Sequence, residues 1–451
     1  MPSSDILRVL TLQDYNTRVV LCGTMLFGAC GGIVGAFMLL RKKSLVSDVA
    51  SHAAFPGIGL AYLILEALSP GTGKSPVWLL VGAAVSSATG LFCAGLIQRT
   101  RLIKEDAALG IILSVFFGFG IVLLSVVQSL PTGSAAGLTE FIFGKAAALT
   151  AADVTTIGVA SVIIMLTCGL LFKELSLLCF DDAYAAALGW PTWWLDLLLT
   201  TLVVAVTVIG MPSVGLLLVV AQLVIPPTAA RFWTDRHSVL TIIAGLLGSL
   251  SSAVGILVSA VIPRLAAGAV IVLAGTTIFL ISMLLGTRRG VLWNWISQRK
   301  SHRHIGQLDL LRASFEVLER EHNLTSSLEC DPATMPLSFE QLLGARSWTA
   351  ARLRGILAVA LSDGSIRQGA DGNYRLTSEG MRLARRATRN HRLWEMYLIH
   401  FAQTAPSRVD READEIEHVL APELVEQLEE LLEQDRVKTR LPPVSPHPQL
   451  T

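Results

Sequence analysis

The chain has 451 residues, a formal net charge of +1 and a mean hydropathy of +0.57. That average conceals two parts: residues 1–289 hold sixteen Lys/Arg and thirteen Asp/Glu, about a tenth of the segment, whereas residues 290–451 hold twenty and twenty-two, about a quarter. The first part is too apolar for a soluble domain, and the second has ordinary soluble composition. The six cysteines form no C-x-x-C pair, which argues against a disulfide framework or a thiolate metal site. The N-terminus shows no signal-peptide pattern, because Asp5, Arg8 and Asp14 precede the first apolar run.

A bilayer-spanning helix needs about twenty mostly apolar residues. Nine stretches qualify: 18–40, 46–68, 76–98, 106–128, 153–172, 192–210, 213–230, 238–261 and 266–286. The sixth and seventh are separated only by Met211-Pro212-Ser213, which reads as a tight hairpin. Gln222 lies within the seventh and needs a polar partner there. Pro226-Pro227 predicts a break in the same span. Glycines at 23, 28, 31 and 32, and again at 245 and 248, read as surfaces for close helix packing.

Cations set the orientation. With the N-terminus outside, eleven Lys/Arg, among them Arg41, Lys42, Lys43, Arg236, Arg288 and Arg289, fall in cytoplasmic loops, against five on the opposite side. Nine crossings also put residues 290–451 in the cytoplasm.

The second span opens with R-K-K-S-L-V-S-D-V-A-S-H-A-A-F-P-G, Arg41 to Gly57. Asp48 and His52 are four residues apart, on one helix face. A carboxylate and an imidazole entering an apolar bundle mark a functional site, and their donors suit a divalent metal. The alternative is a helix end at the membrane surface, with both groups in water. Between spans five and six stands F-D-D-A-Y-A-A-A-L-G-W. Its alanines favour helix, Asp181 and Asp182 sit where the helix dipole favours anions, and Gly189 is a natural stop. A short helix of this kind, lying on the membrane surface, suits docking to a partner; an ordinary amphipathic connector is the plainer reading.

These two stretches, followed by V-G-L-L-L-V-V-A-Q-L-V-I-P-P-T-A-A-R-F (Val214 to Phe232), resemble the signatures of the permease subunit of manganese, zinc and iron ABC importers. The resemblance covers about residues 15–287. It implies a second permease subunit, separate ATPase subunits docked below, and a periplasmic or lipoprotein metal-binding protein delivering the ion. Asp48 and His52 match the acid and histidine of that family's metal path. Asp181, Asp182, Ala183, Ala187, Leu188 and Gly189 match its coupling helix. Gln222 departs from the family, which usually has an aliphatic residue there.

In the soluble part, residues 290–306 read as an aromatic patch and basic linker, and Gln307 to His322 as a helix with Leu308, Leu311, Phe315 and Leu318 on one face. Residues 323–337 read as a loop. Two short helices flanking Gly344 form a helix-turn-helix pattern, and Gly364 to Thr377, with an Asp-Gly turn, a β-hairpin wing. Arg346, Thr349, Arg352, Arg354, Arg367 and Arg375 are candidate DNA contacts; a helical module that binds no DNA reads equally well. His391 and Glu395 share one helix face, and Asp414, Glu417 and His418 another, an N/O donor set suited to manganese or iron.

This half resembles the iron- and manganese-dependent repressors of the diphtheria-toxin-repressor family over about 307–435. His391, Glu395, Asp414, Glu417, His418 and, less closely, Asp309 match that family's ligand positions. Manganese-selective members carry an acid three residues beyond the last of these, where this chain has Arg312.

The expected fold is therefore an all-α polytopic membrane protein of about nine transmembrane helices, followed by a cytoplasmic α+β winged-helix domain with a helical metal-binding and dimerisation region. Expected segments are a permease domain at 1–289, a linker at 290–306, a winged helix at 307–380, a metal-sensing region at 381–440 and a tail at 441–451. The expected function is that of a multi-pass permease in a bacterial inner membrane, importing manganese, iron or zinc. The metal is substrate and regulator, and no organic cofactor is expected. The chain has no G-x-x-x-x-G-K-[ST] stretch, so ATP hydrolysis is expected on another subunit. The alternatives are a metal-dependent repressor binding operator DNA, tethered to the membrane or released from it, and a tail that senses metal and inhibits transport directly.

Overall fold

The computed structural model describes residues 13–69, 75–100, 102–129, 149–262, 265–322 and 335–400, in two compact units, Met1–Asn294 and Trp295–Thr451.

The first unit is helical: α1 Tyr15–Leu40, α2 Leu45–Leu68, α3 Pro76–Arg99, α4 Glu105–Ser129, α5 Ala151–Leu170, α6 Phe172–Phe180, α7 Asp182–Ala187, α8 Thr192–Val214, α9 Leu216–Ala230, α10 His237–Val261 and α11 Ala267–Leu285. Among the described residues eight helices are long and apolar enough to cross a membrane. The seventh expected span is instead α9, a helix of 15 residues. At 1.5 Å per residue it reaches about 22 Å, short of the roughly 30 Å hydrocarbon core. The cause is Gly215, whose φ of +85° ends α8 and lets the chain double back, so that Gly210 lies against Val219.

The expected break at Pro226-Pro227 does not occur, because both prolines lie inside α9. They remove two donors, which frees the carbonyls of Gln222 and Leu223 one turn earlier. The Leu223 carbonyl lies so close to Gly35 on α1 that a Cβ there would come within 2.0 Å of it.

Over an 18-residue apolar stretch of α1, 67 % of residues are buried, against 22 % in the matching stretches of α4 and α11, so α1 is the central post of the unit. It packs on α10, α9 and α5, while α2 packs on α3 and α4. A Cβ on Gly28 would lie 2.3 Å from the Gly248 carbonyl, and one on Gly248 only 2.1 Å from the Gly28 carbonyl. Helices this close are held by backbone van der Waals contact, which lipid cannot match.

In the second unit, residues expected as a linker are helical. Helix α12 runs unbroken over Val291–His322, with the Arg299 guanidinium 3.6 Å above the Trp295 ring. No proline interrupts this stretch, and a single Gly306 costs only about 1 kcal/mol. Helices α13 (Phe339–Ala345) and α14 (Ala350–Ser362) follow, then β1 (Ile366–Gln368), β2 (Tyr374–Leu376) and α15 (Ser378–His400).

Ser338 caps α13 in a capping box with Gln341, and Thr349 caps α14 by accepting from Arg352 N at 3.3 Å. Gly344 lies inside α13, so the turn between the two helices is at Arg346–Trp348. The strands pair antiparallel in the register Ile366↔Leu376, and Leu337 bridges to Tyr374. Gly372, at φ +78°, makes the hairpin turn. Leu310, Leu311, Phe315, Leu318, Leu342, Leu353, Leu357, Ile366, Leu376 and Met381 form the core of a winged helix.

Candidate functional site

Asp48 lies in the first turn of α2, where the helix dipole favours a carboxylate. One turn on, His52 Nε2 is 3.3 Å from Asp48 Oδ1. The pair is half-buried: the side chains are 33 % and 19 % exposed. Phe117 meets the imidazole edge-on at 4.8 Å. His52 Nδ1 is buried and has no hydrogen-bond partner among the described residues. One nitrogen and two carboxylate oxygens thus stand on one face, donors of the kind that divalent transition ions take. The next turns of α2 border an apolar cavity of about 680 Å³, lined by Pro56, Leu60, Trp78, Val85 and Phe116. It has no titratable lining residue and no chemistry for an ion.

The loop before α2 is tied to the segment after α5. Arg41 Nη1 donates to the Leu178 carbonyl at 3.1 Å and to Asp182 Oδ2 at 3.3 Å. Its Nη2 donates to Asp196 Oδ1 at 3.3 Å, and Lys43 Nζ holds the same carboxylate at 2.9 Å. Asp181 caps α7 by accepting from Tyr184 N at 2.9 Å, and the Trp190 N–H closes the far end on the Ala185 carbonyl. From Asp181 to Trp190 every residue except Ala185 is exposed, including Ala183, Ala187, Leu188 and Gly189. Helix α7 therefore presents an apolar outer face while Ala185 packs inward and Arg41 holds its first turn through Asp182.

Gln222 is buried and donates to Ser251 Oγ at 3.1 Å and Ser252 Oγ at 3.0 Å, joining α9 to α10. The polar partner that the sequence demands is thus supplied by an interhelical bond. The serines were visible in sequence; that they were its partners was not.

In the second unit, His391 and Glu395 come together on α15, with His391 Nε2 to Glu395 Oε1 at 3.0 Å and both side chains buried. Arg312 on α12 donates through Nη1 to His391 Nδ1, and its Nε lies 3.2 Å from Glu316 Oε1. Asp309 faces Arg346 at 3.7 Å. Asp414, Glu417 and His418 lie outside the described residues, and no group of three or more metal-ligating His, Cys, Asp or Glu forms among those described. The His391 and Glu395 donors are of the right kind for a transition ion, and a buried nitrogen–oxygen pair on adjacent turns fits one. Sequence reasoning noted Arg312 only as a missing acid and did not foresee its bond to His391.

Of the candidate DNA contacts, Arg352, Arg354 and Arg367 are exposed. Arg375 is held by Asp371 at 2.9 Å, Arg346 faces Asp309, and Thr349 caps α14.

Residues 13–286 match the family profile described as the ABC 3 transport family. The chain belongs to that family. Residues 377–443 match the iron dependent repressor, metal binding and dimerisation domain. This ABC 3 chain is therefore a multi-pass membrane permease with a fused repressor-type domain. It is 37 % identical over 404 residues to the manganese transport system membrane protein MntC of Bacillus subtilis, covering 89 % of this chain and 88 % of the relative. That alignment is longer than the first unit, so the likeness extends into the second. The zinc transport system membrane protein TroC of Treponema pallidum is 43 % identical over 290 residues, 64 % of this chain and 95 % of the relative. Among solved structures, PsaBC from Streptococcus pneumoniae in complex with Fab superposes with a TM-score of 0.55 at 28 % identity, covering 64 % of this ABC 3 chain and 98 % of that one.

Proposed function

We propose that this ABC 3 permease imports a divalent transition metal, manganese, iron or zinc, past Asp48 and His52. The observation that carries the reading is the half-buried carboxylate–imidazole pair, whose buried ring nitrogen has no partner among the described residues. Leaving such an atom unpaired costs about 1–3 kcal/mol, and a passing cation offsets that cost. The manganese and zinc named for the relatives support the substrate class.

ATP is hydrolysed on a separate subunit that docks on the exposed face of α7. A metal-binding protein delivers the ion from the other side, and a second permease subunit, identical or different, encloses the path with this one. The N-terminus lies outside and the second unit in the cytoplasm, with the short α9 counted as a ninth crossing that returns the chain to the α7 side, where His237 meets Phe180. Supporting this, the cations Arg41 and Lys43, the Asp235–Arg289 ion pair at 2.8 Å and the Phe180–His237 ring contact at 4.0 Å cluster near the α7 end of the bundle. The Arg41 bonds give movement of α7 a direct route to the start of α2.

The second unit senses the cytosolic ion. His391 and Glu395 would hold it, with Asp414, Glu417 and His418 completing the set. The metal, when bound, supplies a cationic cross-link between helices.

The test is uptake of Mn²⁺, Fe²⁺ and Zn²⁺, measured by elemental analysis of cells carrying wild type, Asp48→Ala or His52→Ala. Loss of uptake with normal assembly is expected; full uptake by both variants refutes the path site.

A second reading, operator binding by the winged helix, is favoured by the exposed Arg352, Arg354 and Arg367.

A further inference from the structure

Both ring nitrogens of His391 are engaged. Arginine can only donate, so the bond from Arg312 Nη1 requires a lone pair on His391 Nδ1. The ring proton is then on Nε2, where it is given to Glu395 Oε1 at 3.0 Å. In this tautomer neither nitrogen offers a lone pair to a metal. The arrangement is built rather than incidental: Arg312, His391 and Glu395 are 2 %, 3 % and 1 % exposed. Arg312 is among the largest fully buried side chains of the chain, and it is further anchored by Glu316 on its own helix. A buried guanidinium beside a buried imidazole and carboxylate puts a positive charge where a divalent cation would also be drawn.

We propose that Arg312 is an internal competitor that sets the metal affinity of the His391–Glu395 site. A divalent ion gains His391 only when Arg312 gives up Nδ1, so metal arrival breaks a bond between α12 and α15. The site then responds only to ion concentrations high enough to displace the arginine. This rests on the reading that His391 is a metal ligand, and the experiment separates the two.

The probe is Mn²⁺, added as the chloride to full-length protein in detergent, with free ion measured by electron paramagnetic resonance. All proteins carry Asp48→Ala and His52→Ala, so that the proposed path site does not contribute. Arg312→Met, similar in reach but uncharged, should tighten Mn²⁺ binding roughly tenfold or more, the scale of a hydrogen bond to a charged group. Adding His391→Ala should abolish that gain. An unchanged or weakened affinity in Arg312→Met, with His391→Ala still reducing binding, overturns the competitor while leaving the metal site standing. Binding indifferent to His391→Ala in both backgrounds removes the ligand reading and the competitor with it. If Arg312→Met does not fold, Arg312→Leu serves: it likewise removes both the charge and the donor that meets Nδ1. Tighter binding by that variant upholds the proposal, and wild-type or weaker binding overturns it.

Discussion

Arg41 Nη1 donates to Asp182 Oδ2 at 3.3 Å, joining the end of α1 to the first turn of α7. The Asp182 side chain is 63 % exposed, so the ion pair itself contributes at most about 1 kcal/mol to stability. Its value is positional, because Arg41 also lies in the short turn just before α2. Asp182→Ala should therefore leave expression and melting temperature almost unchanged. Metal transported per ATP hydrolysed, measured with the ATPase subunit co-expressed, should fall severalfold. An unchanged ratio would separate α7 from the transport cycle.

The Gln222 side chain and the glycine face of α1 make opposite demands on substitution. Gln222→Leu removes the bonds to Ser251 and Ser252, but Ser251 keeps the Gly248 carbonyl at 2.9 Å. Interhelical bonds of this kind average roughly 0.6 kcal/mol within membranes. The variant should melt only slightly earlier in detergent and retain uptake. Gly28→Leu should fail to assemble, because its side chain would have to enter the Gly248 backbone.

Hydropathy alone made the long helices legible, and local spacing made the Asp48–His52 pairing, the α7 caps and the wing legible. Each is a relation between residues within a few positions of one another. The errors arose where a single backbone angle or a distant partner decides. Gly215 turns an expected full span into a fifteen-residue helix. Pro226-Pro227 reads as a breaker until Gly35 is found against a freed carbonyl. Residues 290–306 have the aromatic and basic composition of a linker, and the structure makes 291–306 the opening of α12. Arg312 and His391 are 79 positions apart, beyond any local pattern. Asp414, Glu417 and His418 fall outside the described residues.

Cys179 lies on α6 with its thiol toward the Phe37 carbonyl at 3.6 Å. Burial raises its pKa to about 12, the Arg41 charge opposing this only in part. At about pH 8 the thiolate is scarce and the side chain only partly accessible. Maleimide labelling at Cys179 should therefore be slow in the folded protein and fast once the chain is unfolded in denaturant. Arg41→Ala removes a charge that favours the thiolate and should slow labelling at Cys179 further, which mass spectrometry of the labelled peptides can read. Equal rates in the folded and unfolded wild type would contradict the packing.

Glu319 pairs with Arg392, whose side chain is only 5 % exposed, whereas the Glu379–Arg382 pair stands in solvent at 59 % and 62 %. Glu319→Gln takes a carboxylate away from a buried guanidinium, which costs at most about 3–5 kcal/mol. Glu379→Gln should have no measurable effect. Limited proteolysis of the full chain, followed within the second unit, should show faster cleavage for the first variant alone; equal cleavage would mean the Arg392 pair is not structural.

Operator binding, if the second unit performs it, falls to a few arginines. Arg346 and Arg375 are held by Asp309 and Asp371, and Arg375 stands across the hairpin from Arg367. Arg352 and Arg354 are exposed on α14, the second helix of the helix-turn-helix. Removing one cation that neutralises a phosphate should lower the salt slope of DNA affinity by about one. Arg352→Ala with Arg354→Ala should then reduce the slope by about two in the Mn²⁺-loaded full-length protein, with little change in melting because neither side chain is buried. Thr349→Ala instead removes the α14 cap and should cost about 1 kcal/mol in stability, weakening DNA affinity only through the helix it starts. If wild type retains no promoter DNA at low salt with or without Mn²⁺, the winged helix is left with a role in protein contacts, and direct inhibition of transport becomes the reading to pursue.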